Sequence, residues 1–292
     1  MQPIQKLGVW VEGARPKTIP AAIVPVLVGT SSIETDFNLL RFLLALAVSV
    51  ALQIGVNYAN DYSDGIRGTD QDRLGPRRLV GSELVEPSKV KLAAFLSFIV
   101  AAIAGLILAI ITSLWLVAVG CVAIIAAWFY TGGSKPYGYS GYGEISVFIF
   151  FGLVATVGSA FIQTETIEIQ SIISSIPVGL LASALLVINN FRDIETDSMT
   201  GKQTLAVRLG KSKTQMLYTL MLLGAVGTYV VIAFLYTLLS LIAVAVLPLC
   251  LRLIYNIYSK ESSQDLIKIL ENTAKLHLLA GLLLSTGLVI GL

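Results

Sequence analysis

The sequence is poor in charged residues, cysteine and histidine, and these deficits exclude several classes of protein. Only 13% of its 292 residues are Asp, Glu, Lys or Arg, whereas a soluble domain carries roughly 25%. The two cysteines, Cys121 and Cys250, both lie in apolar segments, so we predict no disulfide framework. The single histidine, His277, also lies in an apolar segment, and we interpret it as structural. Glycine-rich motifs that bind nucleotides are missing as well.

Long apolar segments make up most of the chain. Hydrophobic residues account for 55% of the sequence, and the mean hydropathy is +0.82. A helix that crosses a bilayer needs about 20 apolar residues, and nine segments approach that length: 18–34, 39–60, 90–111, 114–131, 144–163, 172–190, 214–235, 239–258 and 270–291. The sequence therefore predicts an all-α polytopic membrane protein. We expect one domain, residues 1–292, in which nine transmembrane helices surround a central cavity that opens at the cytoplasmic boundary.

The basic residues are distributed unevenly between the two sides of such a bundle. With nine spans, every Lys and Arg except Arg41 lies in or beside the N-terminus or the loops after spans 2, 4, 6 and 8. The connections on the other side carry Glu34, Asp36, Glu165 and Glu168. Cytoplasmic loops of membrane proteins are enriched in Lys and Arg. We therefore predict a multi-pass protein of the plasma membrane with a cytoplasmic N-terminus and an external C-terminus.

Two acidic clusters interrupt the apolar sequence, at residues 57–64 and 189–197, each at the end of a long apolar segment. Both contain the spacing Asn-x-x-x-Asp, which places the amide and the carboxylate on one face of a helix. Carboxylates at a membrane boundary are costly unless they are hydrated or bind a cation. Hard oxygen ligands of this kind suit Mg²⁺, which usually shares its coordination shell with a phosphate. The clusters therefore predict a site for Mg²⁺ and a phosphorylated ligand.

The two clusters also indicate an internal repeat, because they end spans 2 and 6, which are four spans apart. We predict a pseudo-repeat of spans 1–4 and 5–8 with a ninth helix added. Repeats in membrane proteins commonly place a binding site at their interface. The glycine- and tyrosine-rich loop at residues 130–143 has two interpretations, either an aromatic turn at the membrane interface or a flexible lid over the acidic cavity.

Both clusters resemble known motifs. The segment Asn60-Asp61-Tyr62-Ser63-Asp64 resembles the first half of the Asn-Asp-x-x-Asp-x-x-x-Asp motif of the UbiA superfamily of intramembrane prenyltransferases, and Asp193-x-x-x-Asp197 resembles its second motif. Residues 60–78, 130–133, 189–193 and 201–210 are similar to the branch that prenylates 1,4-dihydroxy-2-naphthoate in menaquinone synthesis. The third acid of the first motif falls at Gly68 here, and the nearest carboxylate is that of Asp70.

The resemblance implies a role for each polar residue near the clusters, with Mg²⁺ as the cofactor. It implies that the metal ligands are Asn60, Asp61, Asp64, Asp70, Asp193 and Asp197. Four of these, Asp61, Asp64, Asp193 and Asp197, are the implied catalytic residues. The implied contacts of the diphosphate are Arg67, Lys135, Arg192 and Lys202. The implied contacts of the aromatic substrate are Arg15, Asn57, Tyr130 and Asn189.

The implied reaction transfers a long isoprenyl chain from a polyprenyl diphosphate to 1,4-dihydroxy-2-naphthoate. Carbon dioxide and diphosphate leave, and the product is demethylmenaquinone. The prenyl tail would lie against apolar helix faces and reach membrane lipid, and we expect no nucleic-acid partner. Two alternatives stay open. Another acceptor of the superfamily, 4-hydroxybenzoate, homogentisate or haem, would replace the naphthoate. Alternatively, the carboxylates would bind the coupling cation of a transporter, although such acids are expected near mid-span.

Overall fold

A computed structural model of the chain describes residues 3–34, 36–69, 77–260 and 262–291. Over these residues the chain is helical, and no strand occurs among them. The helices are α1 (Pro3–Ala14), α2 (Pro20–Ser31), α3 (Leu39–Ile66), α4 (Pro87–Ile111), α5 (Leu116–Phe129), α6 (Gly143–Thr164), α7 (Ile169–Arg192), α8 (Ile194–Met199), α9 (Leu205–Leu235), α10 (Leu238–Ser259) and α11 (Ser263–Gly291). The all-α class predicted from the sequence is confirmed.

Seven helices in the described part of the chain are long and apolar enough to cross a membrane: α3, α4, α6, α7, α9, α10 and α11. The segments predicted as spans 1 and 4 form shorter apolar helices, α2 with 12 residues and α5 with 14. Both are below the roughly 20 residues that span a bilayer without tilt. Pro20 and a turn at Ser32 bound α2, and a turn at Ser113–Trp115 precedes α5. The chain is therefore a multi-pass membrane protein, and the count of nine spans stays a prediction.

The helices pack around two main apolar cores. The larger core joins α2, α7, α9, α10 and α11, and the fully buried side chains of Tyr218, Tyr229 and Leu222 fill its centre. Helix α7 is the most buried of the seven long helices, so it forms the middle of the bundle. A smaller core joins α3 to α4 and to the N-terminal helix α1. Gly55 is needed there, since a Cβ at this position would lie 2.5 Å from the ring of Phe98.

Helix α6 contains a π-helical segment, Phe148–Val154, which is a rare geometry that often occurs at functional sites. Its Gly152 lies directly against Gly179 of α7, because a Cβ on Gly152 would be 2.6 Å from the Cα atom of Gly179. Small residues let the two helix backbones approach this closely. The segment also places Phe150 and Phe151 on the wall of the central cavity.

Arg41, the one exception to the predicted distribution of basic residues, caps the ends of two helices. Its guanidinium donates hydrogen bonds to the carbonyl of Ile111 at the end of α4 (3.1 Å) and to that of Ile162 near the end of α6 (2.8 Å). It also pairs with Glu165 at 2.8 Å. The last carbonyl groups of a helix carry partial negative charge, so a cation stabilises them. The hydrogen bonds of Arg41 to these helix ends therefore explain why a basic residue occurs among connections that otherwise carry only acidic residues.

Replacing Arg41 with alanine is expected to destabilise the bundle, because four hydrogen bonds from a charged group disappear and two helix ends lose their cap. A hydrogen bond to a charged group contributes about 1.5–3 kcal/mol. Thermal unfolding of the purified protein in detergent measures the effect. The control is Lys89→Ala, which removes an exposed pair with Glu86 (3.1 Å) and should leave Tm almost unchanged. Equal Tm values for the Arg41 variant and the wild-type protein would contradict the capping role.

Candidate active site

A cavity of about 1020 Å³ runs through the bundle. It lies at the upper end of the roughly 300–1,000 Å³ that is usual for small-molecule pockets. One part of its wall is apolar and includes Val26, Leu52, Leu108, Val119, Phe150 and Ile162. The part formed by the last turns of α3 and α7, by α8 and by the segment after it is polar and includes Asn57, Asn60, Asp64, Asn189, Asn190, Arg192, Asp193, Asp197 and Lys202. The cavity therefore suits a ligand with a charged head and a long apolar tail.

The first cluster lies on the last turns of α3. Asn57, Asn60 and Asp64 line the cavity because an α-helix turns about 100° per residue, which brings these three positions to one face. The Asn57 amide donates to the hydroxyl of Thr18 at 2.9 Å. The Asn60 amide oxygen accepts a hydrogen bond from the hydroxyl of Thr131 at 2.8 Å. The face is therefore tied to the segment before α2 and to the loop after α5.

Asp61 is part of the same cluster but does not line the cavity. Its carboxylate oxygens accept hydrogen bonds from the backbone N–H groups of Leu79 (2.9 Å) and Val80 (3.0 Å), and its side chain is fully buried. These bonds hold the loop after α3 against the end of the helix. They also place Arg77 and Arg78, the residues before Leu79, at the cavity wall. The geometry thus gives Asp61 a clear role as a loop anchor, and its role as a metal ligand stays a prediction.

The second cluster is divided between two helices, whereas the sequence spacing suggested one continuous face. Helix α7 ends at Arg192, and Asp193 (φ −96°, ψ 7°) forms the junction to α8. The Arg192 guanidinium donates to both Asp193 carboxylate oxygens at 2.7 Å and to the Asn189 side-chain oxygen at 3.0 Å. Asp197 lies one turn later in α8, and its side chain also lines the cavity.

Lys202 joins the two clusters. Its ammonium nitrogen is 3.3 Å from an oxygen of Asp64 and 3.9 Å from an oxygen of Asp197. Only 8% of the residue is exposed. Carboxylates from both motifs therefore lie within 4 Å of a single cation. The backbone contributes as well, because the N–H group of Lys202 donates to the carbonyl of Asp197 at 2.9 Å.

Tyr139, from the loop after α5, completes this arrangement. Its hydroxyl donates a hydrogen bond to Asp64, and the Lys202 ammonium lies 4.6 Å from the centre of its ring. Burial and the neighbouring Asp64 carboxylate raise the pKa of Tyr139 above its ordinary value. Its hydroxyl therefore stays protonated at neutral pH and remains a donor. This contact supports the lid interpretation of the loop at residues 130–143.

The donor set suits a hard divalent cation. Among the described residues, no group of three or more Asp, Glu, His or Cys side chains is arranged to hold a metal by itself. However, Mg²⁺ needs only one or two carboxylates when water and phosphate complete its shell. The Lys202 ammonium already stands where a cation would meet Asp64 and Asp197. Asp64 and Asp197, with Asn60 on the same wall, therefore fit Mg²⁺ bound together with a phosphate. Both oxygens of Asp193 accept hydrogen bonds from Arg192, so its role as a metal ligand stays a prediction. Asp70 lies outside the described residues.

The remaining predicted diphosphate contacts lie off the cavity wall. The Arg67 guanidinium donates to the backbone carbonyls of Thr131 and Gly133, both at 2.5 Å, and lies 5.4 Å from the centre of the Tyr139 ring. It therefore ties the loop after α5 to the end of α3. Lys135 is exposed on the same loop. Neither residue lines the cavity, so contact with a diphosphate stays a prediction for both and would require the loop to move.

The predicted contacts of the aromatic substrate all line the cavity: Arg15, Asn57, Tyr130 and Asn189. Arg15 has a left-handed backbone (φ 53°) directly before Pro16, which turns the chain between α1 and α2. One terminal nitrogen of its guanidinium is buried and has no hydrogen-bond partner among the described residues. A buried unpaired donor of this kind fits an anionic oxygen, such as a carboxylate.

Sequence reasoning missed a buried pair beside this part of the wall. The amide of Asn190 donates to the carboxylate of Glu144 at 3.0 Å, and both residues are buried. Asn190 lines the cavity next to Asn189. Glu144 could have been identified from the sequence, because it is an acid at the boundary of a predicted span. A carboxylate at a membrane boundary is costly unless it is hydrated or bound, which is the reason the two aspartate clusters were identified.

Comparisons with known proteins identify the family of the chain. A model of the UbiA prenyltransferase family matches residues 22–279. The chain is 46% identical over 284 residues to 1,4-dihydroxy-2-naphthoate octaprenyltransferase of Mycobacterium tuberculosis, with 97% of each chain covered. It is 37% identical to the protein of that name from Haemophilus influenzae, with 98% of this chain and 97% of that protein covered.

The fold is similar to that of a UbiA homolog from Archaeoglobus fulgidus, whose structure was solved with GPP and Mg²⁺ bound. The TM-score is 0.69 at 14% sequence identity, and the match covers 95% of this chain and 99% of that one. At this identity the likeness concerns the fold alone. The family match over most of the chain, together with the two relatives above 30% identity, is decisive. The chain belongs to the UbiA prenyltransferase family.

Proposed function

We propose that this protein transfers a long isoprenyl chain from a polyprenyl diphosphate to 1,4-dihydroxy-2-naphthoate in a reaction that requires Mg²⁺. Carbon dioxide and diphosphate are released, and demethylmenaquinol, the reduced form of demethylmenaquinone, is formed. The observation that carries the proposal is the single cavity with carboxylates of both motifs at its polar part and an apolar wall beyond them. The naphthoate as acceptor is supported by relatives of that name at 37–46% identity.

The polar part of the cavity would hold the diphosphate. Asn60, Asp64, Asp193 and Asp197 would hold Mg²⁺, which when bound stabilises negative charge on the departing diphosphate. Lys202 leaves its position between the carboxylates and donates to the diphosphate oxygens. Charge on these oxygens grows as the allylic C–O bond breaks, so a fixed ammonium stabilises the transition state more than the ground state.

The apolar wall would hold the prenyl tail and keep water away from the allylic carbon. Water near a developing allylic cation would capture it and give the prenyl alcohol. Residues such as Leu52, Val119 and Phe150 line the section beyond the polar groups and offer no hydrogen bond to a water molecule. The site thereby favours attack by the aromatic ring over hydrolysis.

The acceptor would lie between the diphosphate and the N-terminal segment. Arg15 pairs with the carboxylate of the naphthoate through its unpaired buried nitrogen, and Tyr130 and Asn189 contact the ring and its hydroxyl groups. The ring carbon that carries the carboxylate attacks the allylic carbon, and the new C–C bond forms as the C–O bond to diphosphate breaks. The bond to the carboxylate then breaks, CO₂ leaves, and the electron pair restores the aromatic ring.

Product analysis tests this function. The purified protein in detergent is given geranylgeranyl diphosphate, 1,4-dihydroxy-2-naphthoate and Mg²⁺, and the products are identified by mass spectrometry. We expect one prenylated naphthoquinol without the carboxyl group per diphosphate released, and no product after chelation of the metal. 4-Hydroxybenzoate serves as the control acceptor. Two outcomes would contradict the proposal. One is that 4-hydroxybenzoate is prenylated and the naphthoate is not, and the other is a prenylated naphthoate that keeps its carboxyl group.

We also propose that the helices cross the plasma membrane nine times and that residues 1–292 form one domain with a pseudo-repeat. The N-terminus and the polar part of the cavity then face the cytoplasm, and the C-terminus lies outside. The proposal is supported by the distribution of Lys and Arg. The position of Asp64 and Asp197 near helix ends, rather than at mid-span, also favours an enzyme of the membrane boundary over a transporter.

Cysteine labelling tests the orientation. In a background without Cys121 and Cys250, single cysteines replace Ser82, Ser212 or Asp36, which are all exposed. An impermeant thiol reagent should label Asp36→Cys in intact cells. It should label Ser82→Cys and Ser212→Cys only after the membrane is disrupted. Labelling of either serine position from outside would reverse the assignment.

A further inference from the structure

Three glycines from three helices line the cavity: Gly105 of α4, Gly120 of α5 and Gly158 of α6. A Cβ atom on Gly120 or Gly158 would meet no described atom within 4 Å, and one on Gly105 would reach only Val48, at 3.8 Å. A glycine that allows close helix packing has a neighbour where its Cβ would be. Gly152 is an example, since a Cβ there would lie 2.6 Å from the Cα atom of Gly179. Gly120 and Gly158 therefore do not serve helix packing. They leave space inside the cavity.

The depth of this space can be compared with the length of a prenyl tail. Gly120 precedes Tyr130, which lines the polar part, by ten residues. At about 1.5 Å per residue along α5, it lies about 15 Å from that part. A peptide unit of three bonds spans at most about 3.6 Å, so an isoprene unit of four bonds spans about 4–5 Å. A tail that follows α5 therefore reaches Gly120 at about its third isoprene unit. Gly158 lies deeper, because it follows Gly143, whose Cβ would lie 3.0 Å from the Tyr130 hydroxyl, by 15 residues of α6, or about 22 Å.

We infer that Gly120 and Gly158 determine the length of the prenyl donor, because they keep the cavity open beyond the third isoprene unit. The inference rests on the proposed function, since it takes the ligand to be a prenyl diphosphate. A tail of two units ends before the two glycines and makes no contact with them. A tail of four units passes Gly120, and a tail of five or more units also reaches Gly158. A larger side chain at either position would therefore exclude long donors and leave short donors unaffected.

The test compares Gly120→Leu and Gly158→Leu with the matched control Gly227→Leu. Gly227 of α9 also faces open space, but it is exposed and does not line the cavity. Each variant receives equal amounts of geranyl and geranylgeranyl diphosphate with the naphthoate, and mass spectrometry gives the ratio of four-unit to two-unit product. If the new side chain keeps two methylene-sized groups of the long tail out of the cavity, the lost burial corresponds to about a tenfold fall in the preference for the long donor. We expect the ratio to fall about tenfold or more in Gly120→Leu, to fall less in Gly158→Leu, which lies near the end of a four-unit tail, and to stay at the wild-type value in Gly227→Leu.

A ratio that is unchanged in both cavity variants would overturn the inference. If the wild-type protein turns over neither donor, the proposed function fails, and the shift in Tm caused by each prenyl diphosphate decides the inference instead. We then expect geranylgeranyl diphosphate to stabilise the wild-type protein and Gly227→Leu more than the cavity variants. Equal shifts in all proteins, or none in any, would overturn it. If a leucine variant fails to fold, Gly120→Ala and Gly158→Ala replace it, with a smaller change of the same sign expected.

Discussion

Replacing Asp64 or Asp193 with alanine is expected to abolish prenyl transfer while the protein still inserts and purifies. Asp64 meets Lys202 and Tyr139 at the junction of the two clusters, and Asp193 is held in place by Arg192. Each loss would remove a proposed oxygen ligand of the metal, and it leaves a buried cation, Lys202 or Arg192, with one carboxylate partner fewer. Removing one preorganised electrostatic contact typically costs 10²–10³-fold in rate, so we expect kcat/KM to fall by at least about that factor.

Glu195→Ala is the matched control for these variants. Glu195 belongs to the second acidic cluster, but its side chain is exposed and pairs with Lys211 at 3.0 Å. Its loss should leave kcat/KM near the wild-type value. Steady-state rates of diphosphate release, together with Tm values for each variant, make the comparison. Near-normal activity in Asp64→Ala or Asp193→Ala, at a normal yield of folded protein, would remove the basis for the proposed site.

Truncating Lys202 is expected to produce the next largest effect, and the effect should concern the donor. Its ammonium is the buried cation between the two clusters, and in our account it moves to the leaving diphosphate. A charge-assisted hydrogen bond contributes about 1.5–3 kcal/mol, which corresponds to about 10- to 150-fold in kcat/KM. Lys202→Ala should lower kcat/KM for the prenyl diphosphate by that factor, with little change in the KM for the naphthoate.

Arg15→Ala should show the opposite pattern, because Arg15 is placed at the acceptor. Its loss should raise the KM for the naphthoate and change the donor kinetics little. Lys213→Ala, at an exposed position, serves as the control for loss of positive charge. Initial rates with each substrate varied in turn distinguish the two patterns. The assignment would be reversed if Lys202→Ala affected only the acceptor and Arg15→Ala only the donor.

The sequence predicts the fold class and the meeting of the two clusters for a simple physical reason. Apolar segments of about 20 residues must form helices in lipid, because only a helix satisfies its own backbone hydrogen bonds there. The ends of spans 2 and 6 then lie on one side of the bundle. In the structure Lys202 lies within ion-pair distance of one carboxylate from each cluster, Asp64 and Asp197.

The direction of individual carboxylates depends on contacts that helical spacing does not contain. Asp61 lies within one turn of Asp64, yet the backbone of Leu79 and Val80, which is distant in sequence, takes both of its oxygens. In the second cluster, the spacing predicts one helical face, whereas the helix breaks at Asp193. Tertiary contacts and local backbone breaks of this kind decide which acid faces a ligand. The pairing of Asn190 with Glu144 is likewise a tertiary contact, made between α7 and the start of α6.

Binding of Mn²⁺ to the purified protein in the presence of inorganic diphosphate tests most directly whether the two clusters form one site. Mn²⁺ replaces Mg²⁺ at oxygen sites, and electron paramagnetic resonance separates its bound and free forms. The account predicts that the wild-type protein binds Mn²⁺ more tightly when diphosphate is present. Asp64→Ala and Asp197→Ala, one from each cluster, should each abolish that gain, while Glu195→Ala keeps it. If only one of the two variants lost diphosphate-dependent binding, or if neither did, the clusters would not share a metal–diphosphate site, and the central claim would be wrong.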